Sequence, residues 1–211
     1  ITNYKYKIDG SWTARDPVSD SSPITISSGL SLGTRHDIIL LAVNSVGEGA
    51  ESNTVSVTPA TKPDPPTITD DTTGDNNSAI IHFTAGANNG RTITNYKYSV
   101  GVATAVELGN TTTPFTITSL TNGQPYSITL YAYNAMGWSN GSVAKNVTPR
   151  AVPGSPTIVS AVPGDSKISM TFTVGQDNGS DIIRYEYKTV PPDGSWSTVT
   201  LLSPSTAVGD I

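Results

Sequence analysis

The octapeptide ITNYKYSV at residues 93–100 returns as ITNYKYKI at 1–8 and as IIRYEYKT at 182–189. Its residues alternate: in the first copy Tyr4, Tyr6 and Ile8 fall on one side, Lys5 and Lys7 on the other. Period-two alternation of this kind reads as a strand with one buried and one wet face. The copies stand about ninety residues apart, too long a period for a solenoid layer and suited to a small domain with its own core. The chain therefore reads as a tandem array. Residues 61–149 form one complete unit, 1–60 a partial unit from its third strand onward, and 150–211 a partial unit holding the first strands only.

The segments around each copy extend the pattern. Asp9-Gly10 directly follows Ile8 and is a strong hairpin signal, with SWT at 11–13 opening the return strand. Ile24 and Ile26 alternate again; His36, Ile38, Leu40 and Ala42 are expected on the inward face of a long strand ending at Asn44. SNTVSVTP at 52–59 is a final strand closed by a proline, which cannot donate to a sheet. In the middle unit AIIHFTAG (79–86) assigns Ala79, Ile81 and Phe83 to the core and leaves Ile80 and His82 outside. KISMTFTVG (167–175) repeats that phase with Ile168, Met170 and Phe172. Strands near 103–108, 114–118, 125–134 and 142–148 complete the unit. Short strands, Gly-rich turns and no helical period argue an all-β fold, with seven strands arranged as a Greek-key sandwich of two antiparallel sheets. ATKPDPP (60–66) and RAVPGSP (150–156) read as short proline-rich linkers that limit swing between units, or as prolines that guard edge strands.

Composition narrows the role. Charged residues make up 14% of the chain, apolar residues 36%, and the net charge is −5, so the concentrated basic stripe that nucleic acid or an anionic membrane needs is missing. No apolar run reaches the ~18 residues of a membrane span, so no membrane contact is expected from this segment. Cysteine is absent, which rules out disulfides and thiolate metal sites within these residues.

LTNGQPY at 120–126 places a Tyr six residues after a Leu at the head of a long alternating strand, and this resembles a tyrosine corner. Together with the proline-led first strand, the aromatic of the second and the ITNYKY third, the chain resembles tandem fibronectin type III repeats. It is similar to those of bacterial surface proteins and of the surface fibres of large DNA viruses. The resemblance implies immunoglobulin-like sandwiches along the whole chain. Two departures stand out. Phe83 and Phe172 occupy the position where the family commonly has Trp, and LSLGTRH (30–36) brings His36 to the corner in place of Tyr. A ring nitrogen of His36 is expected to stand in for the hydroxyl, with a titrating switch as the other reading. No Arg-Gly-Asp occurs, so the integrin-binding loop of some family members is not carried over.

No catalytic constellation is found. His36 and His82 fall in different units, and no Ser, Asp or Glu set has the spacing of a nucleophile elbow or a metal-binding helix, so neither enzyme activity nor a cofactor is expected. Asp64, Asp70, Asp71 and Asp75, and Asp177 with Asp181, match no calcium-loop spacing and read as turn residues. The contact candidates lie on one sheet's outer face. Tyr131 and Tyr133 point outward beside Lys97, and Ile39, Leu41 and Val43 lie beside Lys5 and Lys7; lysine stems covering the apolar groups is the competing reading. Trp138, read as part of an end loop at 134–141, is a further candidate contact, or packs on the next unit. Trp12 and Trp196 follow Asp-Gly turns and read as structural. These features point to a non-enzymatic structural or adhesive array in a stalk, fibre or surface layer, outside the cell or on a virus particle. Its partners are proteins met laterally or end to end, with carbohydrate as a further class. Spacer modules of a secreted polysaccharide-degrading enzyme, or an extracellular filament subunit, are the alternatives. The incomplete end units, taken in isolation, are expected to fray or aggregate.

Overall fold

The computed structural model describes residues 1–188, 196–199 and 208–210. The described residues are all β, and every ladder is antiparallel. Strands β1 (Asn3–Ile8), β2 (Ser11–Ala14), β3 (His36–Val43) and β4 (Val55–Val57) form a sheet in the order β2-β1-β3-β4. Its hairpin turns at Asp9 and Gly10, with φ of 49° and 113°, both in the positive range that a two-residue hairpin loop demands. Directly opposed residues of an antiparallel pair share a face. The register Lys5↔Leu41, Lys7↔Ile39 and Lys7↔Trp12 thus gathers those side chains on one side, while Tyr4, Tyr6, Ile38 and Leu40 share the other and are half-buried.

The middle of the chain holds β5 (Thr67–Ile68), β6 (Thr73–Asp75), β7 (Ser78–Ile81), β8 (Phe83–Thr84), β9 (Asn95–Val100), β10 (Val106–Glu107), β11 (Phe115–Thr118), β12 (Tyr126–Asn134), β13 (Gly137–Trp138) and β14 (Lys145–Val147). One sheet runs β10-β9-β12-β13 with β14 also on β12; the other side consists of β11-β7-β6 and the pair β5-β8. The core brings Ala79, Ile81 and Ile117 together with Tyr96, Ile128, Leu130 and Ala132, all buried. Burying a side chain such as Leu130 stabilises by about 1.5–3 kcal/mol, and the alternation of β12 does this at every second residue. Phe83 meets the Tyr96 ring edge-on at 4.6 Å, so the smaller aromatic keeps the core position expected of it. The strands are more fragmented than the sequence predicts because side chains intrude on the ladder. At His82, between β7 and β8, the backbone N–H donates to Thr72 Oγ1, and the carbonyl accepts from the Thr72 hydroxyl and the Thr69 amide.

Beyond residue 150, β15 (Thr157–Gly164) and β16 (Lys167–Thr173) form a hairpin; β17 (Tyr185–Lys188) pairs with β18 (Trp196–Val199), and β19 (Val208–Asp210) lies along β16. Met170 and Phe172 are half-buried, with Phe172 on Tyr185 at 4.9 Å. Ile168, expected inside, is 48% exposed. It sits near the hairpin tip, past Ser169–Thr171 where β19 pairs. The turn expected at Asp193-Gly194 and the side chain of Trp196 lie outside the described residues.

Two corners and two linkers repeat each other. The Tyr126 hydroxyl accepts the Thr121 N–H at 2.9 Å, and this bond holds the phenol below its ordinary pKa. At the equivalent place His36 Nε2 accepts the Ser31 N–H at 3.0 Å, so a ring nitrogen does replace the hydroxyl. Each corner loop then grips the linker that follows. Gly33 N–H donates to Pro59 O and Gly123 N–H to Pro149 O, both at 2.9 Å. On its other side the first linker is tied by Thr61 N–H to Asn89 O at 3.0 Å and Asp64 N–H to Ala87 O at 2.9 Å, with Asn89 Nδ2 donating to Lys62 O. The second repeats the set with Ala151 N–H to Asn178 O at 2.9 Å, Gly154 N–H to Gln176 O at 2.8 Å, and Asn178 Nδ2 to Val152 O. Gly33 packs against Gly90 in one junction and Gly123 against Gly179 in the other, all four at positive φ. A Cβ on Gly90 would stand 2.6 Å from Pro59 O, and one on Gly179 2.8 Å from Pro149 O; only glycine allows that approach.

Candidate contact face

β9 and β12 position the outer face of the middle sheet. Lys97 opposes Tyr131 across the ladder, and Tyr133 opposes Trp138. The Lys97 ammonium lies 4.3 Å from the centroid of the Trp138 ring and 5.2 Å from that of Tyr131, while Tyr133 and Trp138 pack with centroids 4.9 Å apart. Four of the residues singled out from the sequence therefore form one continuous aromatic patch roofed by a cation. Such a cation held over a ring contributes about 0.5–2 kcal/mol depending on its desolvation. All four side chains are half-buried. Asn95 Nδ2 donates to Glu107 Oε2 beside the patch, and a Cβ on Gly141 would come within 3.1 Å of the Tyr131 ring, so the hairpin return lies flat against it.

One placement differs from the expectation. Trp138 is not in a loop at the end of the sandwich; it stands in β13, and its pairing with Tyr133 adds it to the sheet face. Gly137, at φ 119°, makes the tight return that lets β13 fold straight back on β12.

The sheet at 1–60 corrects a second expectation. Ile39 and Val43 are half-exposed on its outer face, but Leu41 is only 7% exposed and offers no contact surface. The cause is a roof of two ion pairs. Lys5 and Lys7 lie on β1, to one side of β3; Glu48 and Glu51 belong to the segment on its other side, where Ser52 N–H donates to Leu40 O. The pairs Lys5–Glu48 and Lys7–Glu51, the latter at 3.0 Å, reach across β3 and lay their aliphatic stems over Leu41.

Two participants escaped the sequence reading. Trp12 lies 5.0 Å under the Lys7 ammonium and is 37% exposed, so this sheet also carries an aromatic–lysine pair, although the aromatic comes from β2 instead of β13. The alternation across the Asp9-Gly10 turn, which puts Trp12 opposite Lys7, was the signal. Asn134 is completely buried, and its Nδ2 donates to Thr61 O at 2.9 Å and Asn88 O at 3.0 Å, which pins the linker from beneath. The shared Asn at the head of NSVG (44–47) and NAMG (134–137) marked the position.

Three of the aspartates of the middle unit are engaged locally. Asp70 pairs with Lys145 at 2.6 Å, Asp71 takes the Thr69 hydroxyl and lies 3.2 Å from His82 Nδ1, and Asp64 accepts from Asn89 Nδ2. The Lys145 hydrogen bond and charge hold Asp70 below the usual carboxylate range, and the Thr69 hydroxyl does the same for Asp71. No group of three or more His, Asp or Glu side chains converges as a metal site among the described residues.

No protein-family model matches the chain. It is 28% identical over 100 residues to a Kelch domain-containing protein of Saccharolobus solfataricus, covering 47% of this chain and 14% of that protein. It is 29% identical over 153 residues to a Kelch domain-containing protein of Sulfurisphaera tokodaii, covering 69% of this chain and 21% of that one. The chain thus spans about a fifth or less of the length of these curated relatives. A crystal structure of domains from titin is similar over 70% of this chain and 53% of the titin chain, at 19% identity and a TM-score of 0.40. By its own sheet order and pairing, the chain is all β among the described residues and is built from several antiparallel sheets.

Proposed function

We propose that the chain is part of a non-enzymatic structural or adhesive array of seven-stranded Greek-key fibronectin type III sandwiches. The array forms a stalk, fibre or surface layer of a cell or virus particle, similar to those of bacterial surface proteins and large DNA virus fibres. The observation that carries this reading is the linker clamp, repeated bond for bond about ninety residues on. A linker without such bonds lets neighbours swing, since contacts between units of one chain are commonly small and polar. Here each linker is held from both sides, by the corner loop before it and the Asn/Gly loop after it, and the same geometry recurs. Identical junctions propagate a constant step along the array, which is what a spacer or fibre requires. Lateral contact falls to the patch of Lys97, Tyr131, Tyr133 and Trp138, whose aromatic surface suits a protein partner.

Immunogold labelling of the parent protein on intact cells and particles tests the assignment. Label along surface fibres or a surface layer is the expected result, and label confined to the cell interior contradicts it.

A further inference from the structure

The corner that grips the first linker is built on a histidine, and the corner that grips the second is built on a tyrosine. His36 is 5% exposed. Its Nε2 accepts the Ser31 N–H at 3.0 Å, and its Nδ1 lies 2.6 Å from Asp9 Oδ2. An imidazole accepts at Nε2 only while that nitrogen keeps its lone pair, so the neutral ring carries its proton on Nδ1 and donates it to Asp9. A second proton turns Nε2 into a donor facing the Ser31 N–H. Ser31 opens the loop whose Gly33 N–H holds Pro59 O and whose Gly33 lies against Gly90. Tyr126 carries a phenol, which stays neutral over the range in which histidine gains a proton.

We infer that His36 makes the junction at 60–66 an acid-releasable hinge, opening when the imidazole takes up its second proton, while the junction at 150–156 stays closed. The charged groups around the ring give the opened state somewhere to rest. Asp9, from the β1–β2 turn, presents Oδ2 to Nδ1 and accepts the Asp37 N–H on Oδ1, so its carboxylate stays in place to hold an imidazolium. Arg35 and Asp37, on either side of His36 in sequence, pair with each other at 3.2 Å, and both bond Ser56. β4 offers only Val57 opposite the ring. Protonation therefore keeps the bond to Asp9 and gives up the bond to Ser31, and the loop that grips Pro59 is released with it.

Amide hydrogen exchange on the whole chain, read by NMR at pH 7.5 and 5.0 and corrected for intrinsic rates, tests this within one molecule. Protection at Ser31 and Gly33 is expected to fall about tenfold at the lower pH, while Thr121 and Gly123 hold theirs. His36→Tyr installs the side chain that the other corner uses and is expected to remove the difference. Unchanged protection at Ser31 and Gly33, an equal loss at Thr121 and Gly123, or the same loss in the His36→Tyr chain would overturn the inference. Should His36→Tyr fail to fold, the comparison of the two corners in the unaltered chain decides by itself.

Discussion

Replacing Gly90 by Ala tests the clamp at its tightest point. Gly90 sits at φ 88°, where an L-residue costs about 1–2 kcal/mol. The added Cβ would stand 2.6 Å from Pro59 O and 2.7 Å from Gly33 N, both backbone atoms that cannot rotate away. The junction must open to admit it, and the Gly33 N–H to Pro59 O bond is lost, a further cost of about 0.5–1.5 kcal/mol. Gly101→Ala is the matched control, since Gly101 also has positive φ, at 56°, but nothing lies within 4 Å of its Cβ. The expected loss is about 1.5–3.5 kcal/mol for Gly90→Ala against about 1–2 kcal/mol for the control. Urea unfolding reads the difference as a lower midpoint, and hydrogen exchange reads it as lost protection at Gly33 in Gly90→Ala alone. Equal midpoints for the two variants, with Gly33 protection intact in both, would refute the reasoning.

Three further outcomes follow from the geometry. Tyr126→Phe leaves the Thr121 N–H without its acceptor and is expected to cost about 1 kcal/mol in thermal unfolding, without moving the core. Lys97→Ala removes the cation over Trp138 and Tyr131; tryptophan fluorescence should shift to the red, and stability should fall by about 0.5–2 kcal/mol, whereas Lys97→Met, which keeps the stem, retains most of the shielding. Asp9, Asp70 and Asp71 have carboxyls lowered in the fold: the Asp37 amide and then His36 act on Asp9, Lys145 on Asp70, and the Thr69 hydroxyl on Asp71. A lowered carboxylate adds stability above its unfolded pKa of about 3.9 and loses it as pH falls through the folded value. Carboxyl NMR titration should find all three below that value, and Asp70→Asn should flatten the acid limb of the stability curve.

Much of the fold could be read from period and turns. The alternation of ITNYKYSV defined the inward set of β9, and Asp9-Gly10 marked the β1–β2 turn. The corner substitution at His36 was legible because its loop kept the spacing of the tyrosine version, so the ring had one backbone N–H to meet. The aromatic patch was half visible: Lys97, Tyr131 and Tyr133 share a face by alternation alone, but Trp138 joins them only through a hairpin tight enough to form a strand. Leu41 could not be placed correctly because its cover comes from Glu48 and Glu51, distant in sequence from Lys5 and Lys7 and unmarked by any local pattern. The glycines posed the same difficulty. Gly33, Gly90, Gly123 and Gly179 read as turn residues, while their role depends on which backbone they touch in the neighbouring loop.

The repeated linker bonds imply that each linker holds its neighbours at a fixed and repeated orientation. Residual dipolar couplings, fitted separately for residues 1–60, 61–149 and 150–188 of the whole chain at neutral pH, test it directly. Alignment tensors of one magnitude, whose axes agree with the structure across both junctions, are the expected result. Tensors of unequal magnitude, or axes that differ between the segments, would mean that the units swing independently and would contradict it.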